Sequence, residues 1–118
     1  MADYDLWSEL RTKTRQLDYS IRELRKSGTA YAEAEKAYKI KLREECLRLR
    51  GQEMPVTLID KVCYGIDEVA ELRFKRDVAE TVWTANKEAI QAIKLEIRII
   101  NEQLSREISN PNVGYGSL

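Results

Sequence analysis

From Ile66 to Ile108 the chain runs without a glycine or a proline, and its apolar positions recur in sevens. One position reads Val69, Arg76, Trp83, Ile90, Ile97 and Leu104; the other reads Leu72, Ala79, Asn86, Ile93, Ile100 and Glu107. Side chains three and four apart share one face of an α-helix, so the seam predicts a single amphipathic helix over 66–108. At ~1.5 Å per residue such a helix is on the order of 60 Å long. A second stripe, Val78, Val82, Ala85, Ala89, Ala92 and Ile99, lies beside the seam.

The residues before it predict shorter elements. Asp3 or Asp5 caps a first helix, because a short side-chain oxygen satisfies the free amides of its first turn. Its seam pairs Trp7, Thr14 and Ile21 with Leu10, Leu17 and Leu24. Arg25 and Lys26 suit the negative end of a helix, and Gly28 suits the residue that closes one. The first helix is therefore expected over 4–27. Thr29 is expected to cap a second helix over 29–50, with Gly51 as its stop. Tyr31, Ala34, Tyr38, Leu42 and Leu49 share one face of it, and Glu45 intrudes there. The turn from Ser27 to Thr29 would fold these two helices into an antiparallel hairpin. Thr57 can cap a short helix over 57–64, with Asp60 as capping-box partner and Val56, Ile59, Val62 and Cys63 facing inward. After residue 108 periodicity is lost, and 109–118 reads as a disordered tail.

The predicted architecture is all-α: an antiparallel hairpin and a short helix packed on one long C-terminal helix, as a single domain over 1–108. Hairpin arms about half as long as the final helix leave part of its seam uncovered, and an uncovered apolar strip marks an interface. Trp83, Ile90, Ile93, Ile97, Ile100 and Leu104 are therefore the expected contacts of a coiled-coil-like homo-oligomer.

Composition fits long helices, with 34% charged and 43% hydrophobic residues, five glycines and two prolines in 118. The net charge is zero, so overall charge favours neither nucleic acid nor membrane. Its distribution is uneven, since residues 11–50 hold 12 basic and 6 acidic side chains. The absence of histidine removes Ser/His/Asp and Cys/His catalysis and imidazole metal sites. Cys46 and Cys63 are expected to be reduced, in a cytoplasmic protein, because no secretory signal or bilayer-spanning run is evident. No cofactor, metal centre or small-molecule substrate is expected.

The candidate chemistry lies in charge. Lys36, Lys39, Arg43 and Arg50 fall within roughly 60° of one another on a helical wheel. They could follow a phosphate backbone, with Tyr38 or Tyr31 near enough to stack on a base. Ile40 and Leu47 lie alongside. Arg73-Phe74-Lys75-Arg76 is a denser cluster, but Arg73 and Arg76 stand four residues before Asp77 and Glu80, which is the spacing of internal ion pairs. Glu68 and Glu71 share a helix face and could hold magnesium with a substrate's phosphates. The E-x-x-D element that follows such a pair in all-α nucleotide pyrophosphohydrolases is absent. No catalytic residue is assigned, and the chain reads as non-enzymatic.

Three stretches carry a resemblance: Ala34-Glu35-Lys36-Ala37-Tyr38-Lys39 with Leu42-Arg43, Pro55-Val56-Thr57-Leu58-Ile59, and Val69 through Asp77. With the Trp83 to Ile97 region, they resemble small helical phage and prophage proteins, and within these the recombination-mediator (UvsY-like) family. The resemblance spans most of residues 30–108. It implies an all-helical homo-oligomer that binds single-stranded DNA, helps to load a recombinase, and uses Lys36, Lys39, Arg43 and Arg50 as basic contacts. The neutral net charge and acidic second half depart from that family. The alternative is a protein-interaction module, such as a phage-encoded regulator or inhibitor of a host protein, whose apolar strip receives a partner's helix.

Overall fold

The computed structural model describes residues 5–109, which form three α-helices: α1 (Leu6–Gly51), α2 (Val56–Cys63) and α3 (Asp67–Ser109). The all-α architecture with a long C-terminal helix is as expected, and α3 begins and ends one residue from the expected bounds. Asp3 and the expected tail from 110 onward lie outside the described residues. Asp5 does cap α1, its Oδ1 accepting the Trp7 amide at 3.0 Å.

The expected break at Ser27–Thr29 does not occur. Gly28 and Thr29 are helical, and the two predicted arms are one helix of 46 residues. Glycine costs a helix interior only about 1 kcal/mol relative to alanine, too little to stop a helix whose inward stripe continues past it. That stripe runs Leu10, Leu17, Leu24, Tyr31, Tyr38 in unbroken sevens, partnered by Leu6, Lys13, Ser20, Ser27, Ala34 and Lys41, and all are buried or half-buried. Trp7 and Thr14, expected in the seam, differ: Trp7 is exposed and Thr14 is exposed beside it. Ser27 is buried, and its hydroxyl donates to the Leu24 carbonyl at 3.0 Å.

α1 ends beyond Gly51, in a Schellman-type closure. The Glu53 amide bonds to the Arg50 carbonyl at 3.0 Å and the Met54 amide to the Leu49 carbonyl at 3.2 Å. The left-handed residue is Glu53 (φ 64°), not the glycine. Pro55 then starts α2 one residue earlier than expected. Its carbonyl accepts the Leu58 and Ile59 amides, and no side chain caps the helix, so Thr57 is not the cap. Ile59 and Cys63 face inward, Val62 is half-buried, and Val56 is exposed.

The described residues fall into two compact units. In the first, residues 6–23 of α1 pack on 86–109 of α3. Leu6, Ile100 and Leu104 form its buried cluster with Leu10 against it, and Lys13 pairs with Glu96 at 2.8 Å. Asn86 donates to the Glu23 carbonyl at 3.3 Å. In the second, residues 24–85, Leu49, Ile59 and Cys63 form a cluster with Leu42, Cys46 and Met54 packed on it, and Val69 is fully buried. Tyr31 and Trp83 stack with centroids 5.2 Å apart.

The Tyr31–Trp83 stack explains why glycine occupies position 28. A Cβ added there would lie 3.2 Å from the Trp83 indole nitrogen. In a Trp83→Leu background, Gly28→Ala should gain close to the full helix-propensity benefit of about 1 kcal/mol. With Trp83 in place the gain should shrink or reverse. Urea unfolding of the four proteins reads this coupling, and equal effects in both backgrounds would rule the contact out.

Candidate nucleic-acid interface

The four basic side chains singled out from the sequence lie on α1 within the second unit, and all are exposed. They share one narrow sector of the helix. Among the described residues Lys39 alone of the four has an acidic partner, Glu35, at 3.5 Å. Lys36, Arg43 and Arg50 point their charge to solvent. Ile40 and Leu47, which lie alongside them, are 49% and 56% exposed.

Tyr38 does not belong to this surface, and its assignment as a base-stacking residue is corrected. It is 6% exposed and faces the opposite way, into the second unit. The Arg76 guanidinium sits 4.6 Å from its ring centroid, a cation–π contact. Arg76 also donates to Asp77 Oδ1 from both Nε (3.1 Å) and Nη2 (2.8 Å). Of the dense cluster around Phe74, Arg76 is thus paired with the adjacent Asp77 instead of Glu80, and among the described residues the expected Arg73–Asp77 pair does not form. Tyr31 is engaged by Trp83. Partial burial pushes its hydroxyl above the usual range, and the carboxylates of Glu35 and Glu80 add to this.

The carboxylates that intrude on the packed stripe are also matched. Arg48 bonds Glu45 at 2.9 Å and holds its carboxyl below the ordinary range. Glu68 receives Lys41 at 2.7 Å, and that hydrogen bond raises the lysine's pKa. The magnesium reading therefore finds Glu68 already in an ion pair, with Glu71 exposed beside it. Among the described residues no group of three or more acidic, cysteine or histidine side chains is placed to hold a metal ion. Cys46 and Cys63 are free thiols. Burial raises the Cys63 thiol pKa, and a hydrogen bond with Cys46 adds to it.

The seam assigned to an oligomer interface is occupied within the chain. Ile90, Ile100 and Leu104 are 4–6% exposed in the first unit, with Ile93 and Ile97 half-buried there. Trp83 is half-buried in the second. An interface on the seam requires hairpin arms too short to cover it, and an unbroken α1 removes that ground. The neighbouring stripe does stay open: Val78, Val82 and Ile99 are 46–49% exposed, and Ala85, Ala89 and Ala92 keep at least part of their surface in solvent. Phe74 (63%) extends it in the second unit.

The sequence reading also missed a surface in the first unit. Trp7, Arg11, Arg15 and Tyr19, spaced by four on α1, are all exposed. The i, i+4 spacing of aromatic and arginine residues was the available signal, and assigning Trp7 to the seam hid it.

No family model, curated protein or solved structure matches this chain. No described helix is long and apolar enough to cross a membrane.

Tyr38 is a core residue by this geometry, and truncating it should cost stability. Tyr38→Ala should lower the unfolding free energy by about 3 kcal/mol, the range for removing a buried aromatic, while Tyr38→Phe should change it little. Urea denaturation followed by circular dichroism measures both. A Tyr38→Ala protein as stable as the parent would return Tyr38 to the surface.

Proposed function

We propose that this protein is a non-enzymatic accessory protein that binds single-stranded DNA along the exposed basic face of α1. The observation that carries the reading is the row Lys36, Lys39, Arg43 and Arg50, solvent-facing in one sector and almost free of acidic partners. Phosphate contacts of this kind are sequence-independent and draw their affinity from counterion release. With Tyr38 and Tyr31 engaged elsewhere, this row supplies charge without stacking. The recombination role, the loading of a recombinase and the phage setting rest on the resemblance of residues 30–108 alone.

Assembly belongs to the same proposal. Phe74, Val78 and Val82 form an apolar ridge at four-residue spacing on α3 in the second unit. A second copy docking there would repeat the basic row and raise affinity through multivalency. The same ridge favours the competing reading, a protein-interaction module in which it receives a helix of another protein.

Fluorescence anisotropy with a labelled single-stranded oligonucleotide tests the DNA reading. Affinity should fall steeply with salt, and each phosphate that is no longer neutralised should flatten the log–log slope by about 0.7. The Lys36→Glu, Arg43→Glu, Arg50→Glu variant should bind weakly and with the flatter slope. Absence of salt-sensitive binding at low ionic strength would sink the proposal. Light scattering of the same samples decides assembly: a discrete oligomer supports self-docking, and a stable monomer favours the module.

A further inference from the structure

We infer that the α1 face carrying Trp7, Arg11, Arg15 and Tyr19 is a base-stacking site for single-stranded nucleic acid. It takes its ligand class from the proposed function but shares no residue with the basic row that carries it.

Four residues advance a helix by ~6 Å and turn it by ~40°, so these side chains form a slanting ladder: ring, guanidinium, guanidinium, ring. The rings are 54% and 58% exposed, which is unusual for a tryptophan and a tyrosine inside a continuous helix. Among the described residues neither Arg11 nor Arg15 is in an ion pair, whereas Arg22, the next arginine on that side, is tied to Asp18. Two shallow bays flank Arg15. One, of about 410 Å³, is lined by Trp7 and Arg11; the other, of about 420 Å³, by Tyr19 and Ile93. Arg15 lines both. The two rings stand ~18 Å apart along the axis, so an aromatic wall in each bay with guanidinium groups between them suits two stacked bases separated by intervening nucleotides whose phosphates meet Arg11 and Arg15.

The charge of the surrounding face favours an anionic occupant. From residue 7 to 22 every aliphatic side chain of α1 (Leu10, Leu17, Ile21) is at least half-buried, and the exposed face carries the two rings, polar groups, Arg11, Arg15 and the Asp18–Arg22 ion pair, a net positive charge. Arginine and aromatic rings in alternation suit a ligand with both a negative backbone and flat faces, and base–aromatic stacking tolerates any sequence.

The test titrates the full-length protein with oligo(dT) on the order of 10 nucleotides, a strand that covers one site. Binding should quench tryptophan emission. Trp7→Ala and Tyr19→Ala should each weaken binding about tenfold with the salt slope unchanged, since they remove stacking and no charge. Arg11→Gln with Arg15→Gln should flatten the slope by about 1.4. All four side chains are exposed, so circular dichroism should match the parent. An abasic strand of equal length should bind the parent as weakly as oligo(dT) binds the aromatic variants. Parental affinity in both aromatic variants, or abasic strand and polyglutamate binding as tightly as oligo(dT), would overturn the site. The charge-reversed basic row reports separately. Loss of binding there with no effect of Trp7→Ala sinks only this inference, the reverse sinks only the α1 row, and no binding by the parent sinks both.

Discussion

The continuity of α1 through Gly28 is the constraint from which the remaining packing follows. A stripe that repeats in sevens keeps facing a partner only while the helix stays in phase. A left-handed glycine at 28 would rotate Tyr31, Ala34 and Tyr38 out of line with Leu17 and Leu24. Because the helix continues, α1 supplies a packed stripe to each unit, and the α3 seam is filled from within the chain. The close approach of Trp83 to Gly28 shows why glycine is kept there: the missing Cβ leaves room for an indole.

The core so formed is thin, and polar residues occupy part of it. Lys13, Lys41, Glu45, Arg76 and Asn86 all sit on the packed stripes as half-buried groups. A desolvated polar group costs free energy unless it finds a partner, and each of these has one: Glu96, Glu68, Arg48, Asp77 and the Glu23 carbonyl. Among the described residues no buried side-chain nitrogen or oxygen is left unsatisfied. Ion pairs this exposed add little stability each, so the consequence of those that join α1 to α3 is register: a slip along the seam would break Lys13–Glu96, Lys41–Glu68 and the Asn86 bond to the Glu23 carbonyl, while the Glu45–Arg48 and Arg76–Asp77 pairs within one helix would persist.

How much of this was legible in the sequence depends on the length of the pattern. The α3 seam was readable residue by residue, because six heptads without glycine or proline admit one phase, and Val69, Ile90, Ile100 and Leu104 are buried as that phase requires. α1 was misread where local signals opposed the long one. Arg25, Lys26, Gly28 and Thr29 look like a helix end followed by a cap, yet Leu10, Leu17, Leu24, Tyr31 and Tyr38 already carried the phase across them. Tyr38 was legible as apolar-facing but was also assigned to the basic face, and one side chain cannot serve both. The Glu53 left-handed closure was not legible, since glycine two residues earlier is the better candidate by propensity. For the candidate site, exposure of the basic row was readable from the wheel, whereas the loss of its aromatic partners required knowing that Arg76 and Trp83 reach them.

A net charge of zero also needs to be read locally. Screening in physiological salt acts over about 8 Å, so a strand lying on α1 feels the charges of that face and few others. On α1, Asp18, Glu35, Glu44 and Glu45 each lie in an ion pair with a lysine or arginine. Among the described residues Arg11, Arg15, Lys36, Arg43 and Arg50 are left without one. The acidic excess that balances the total lies later in the chain, where Glu71, Glu88 and Glu102 are exposed on α3. A protein neutral overall can therefore present a cationic helix to a polyanion, and its affinity would follow the phosphates within a Debye length of α1.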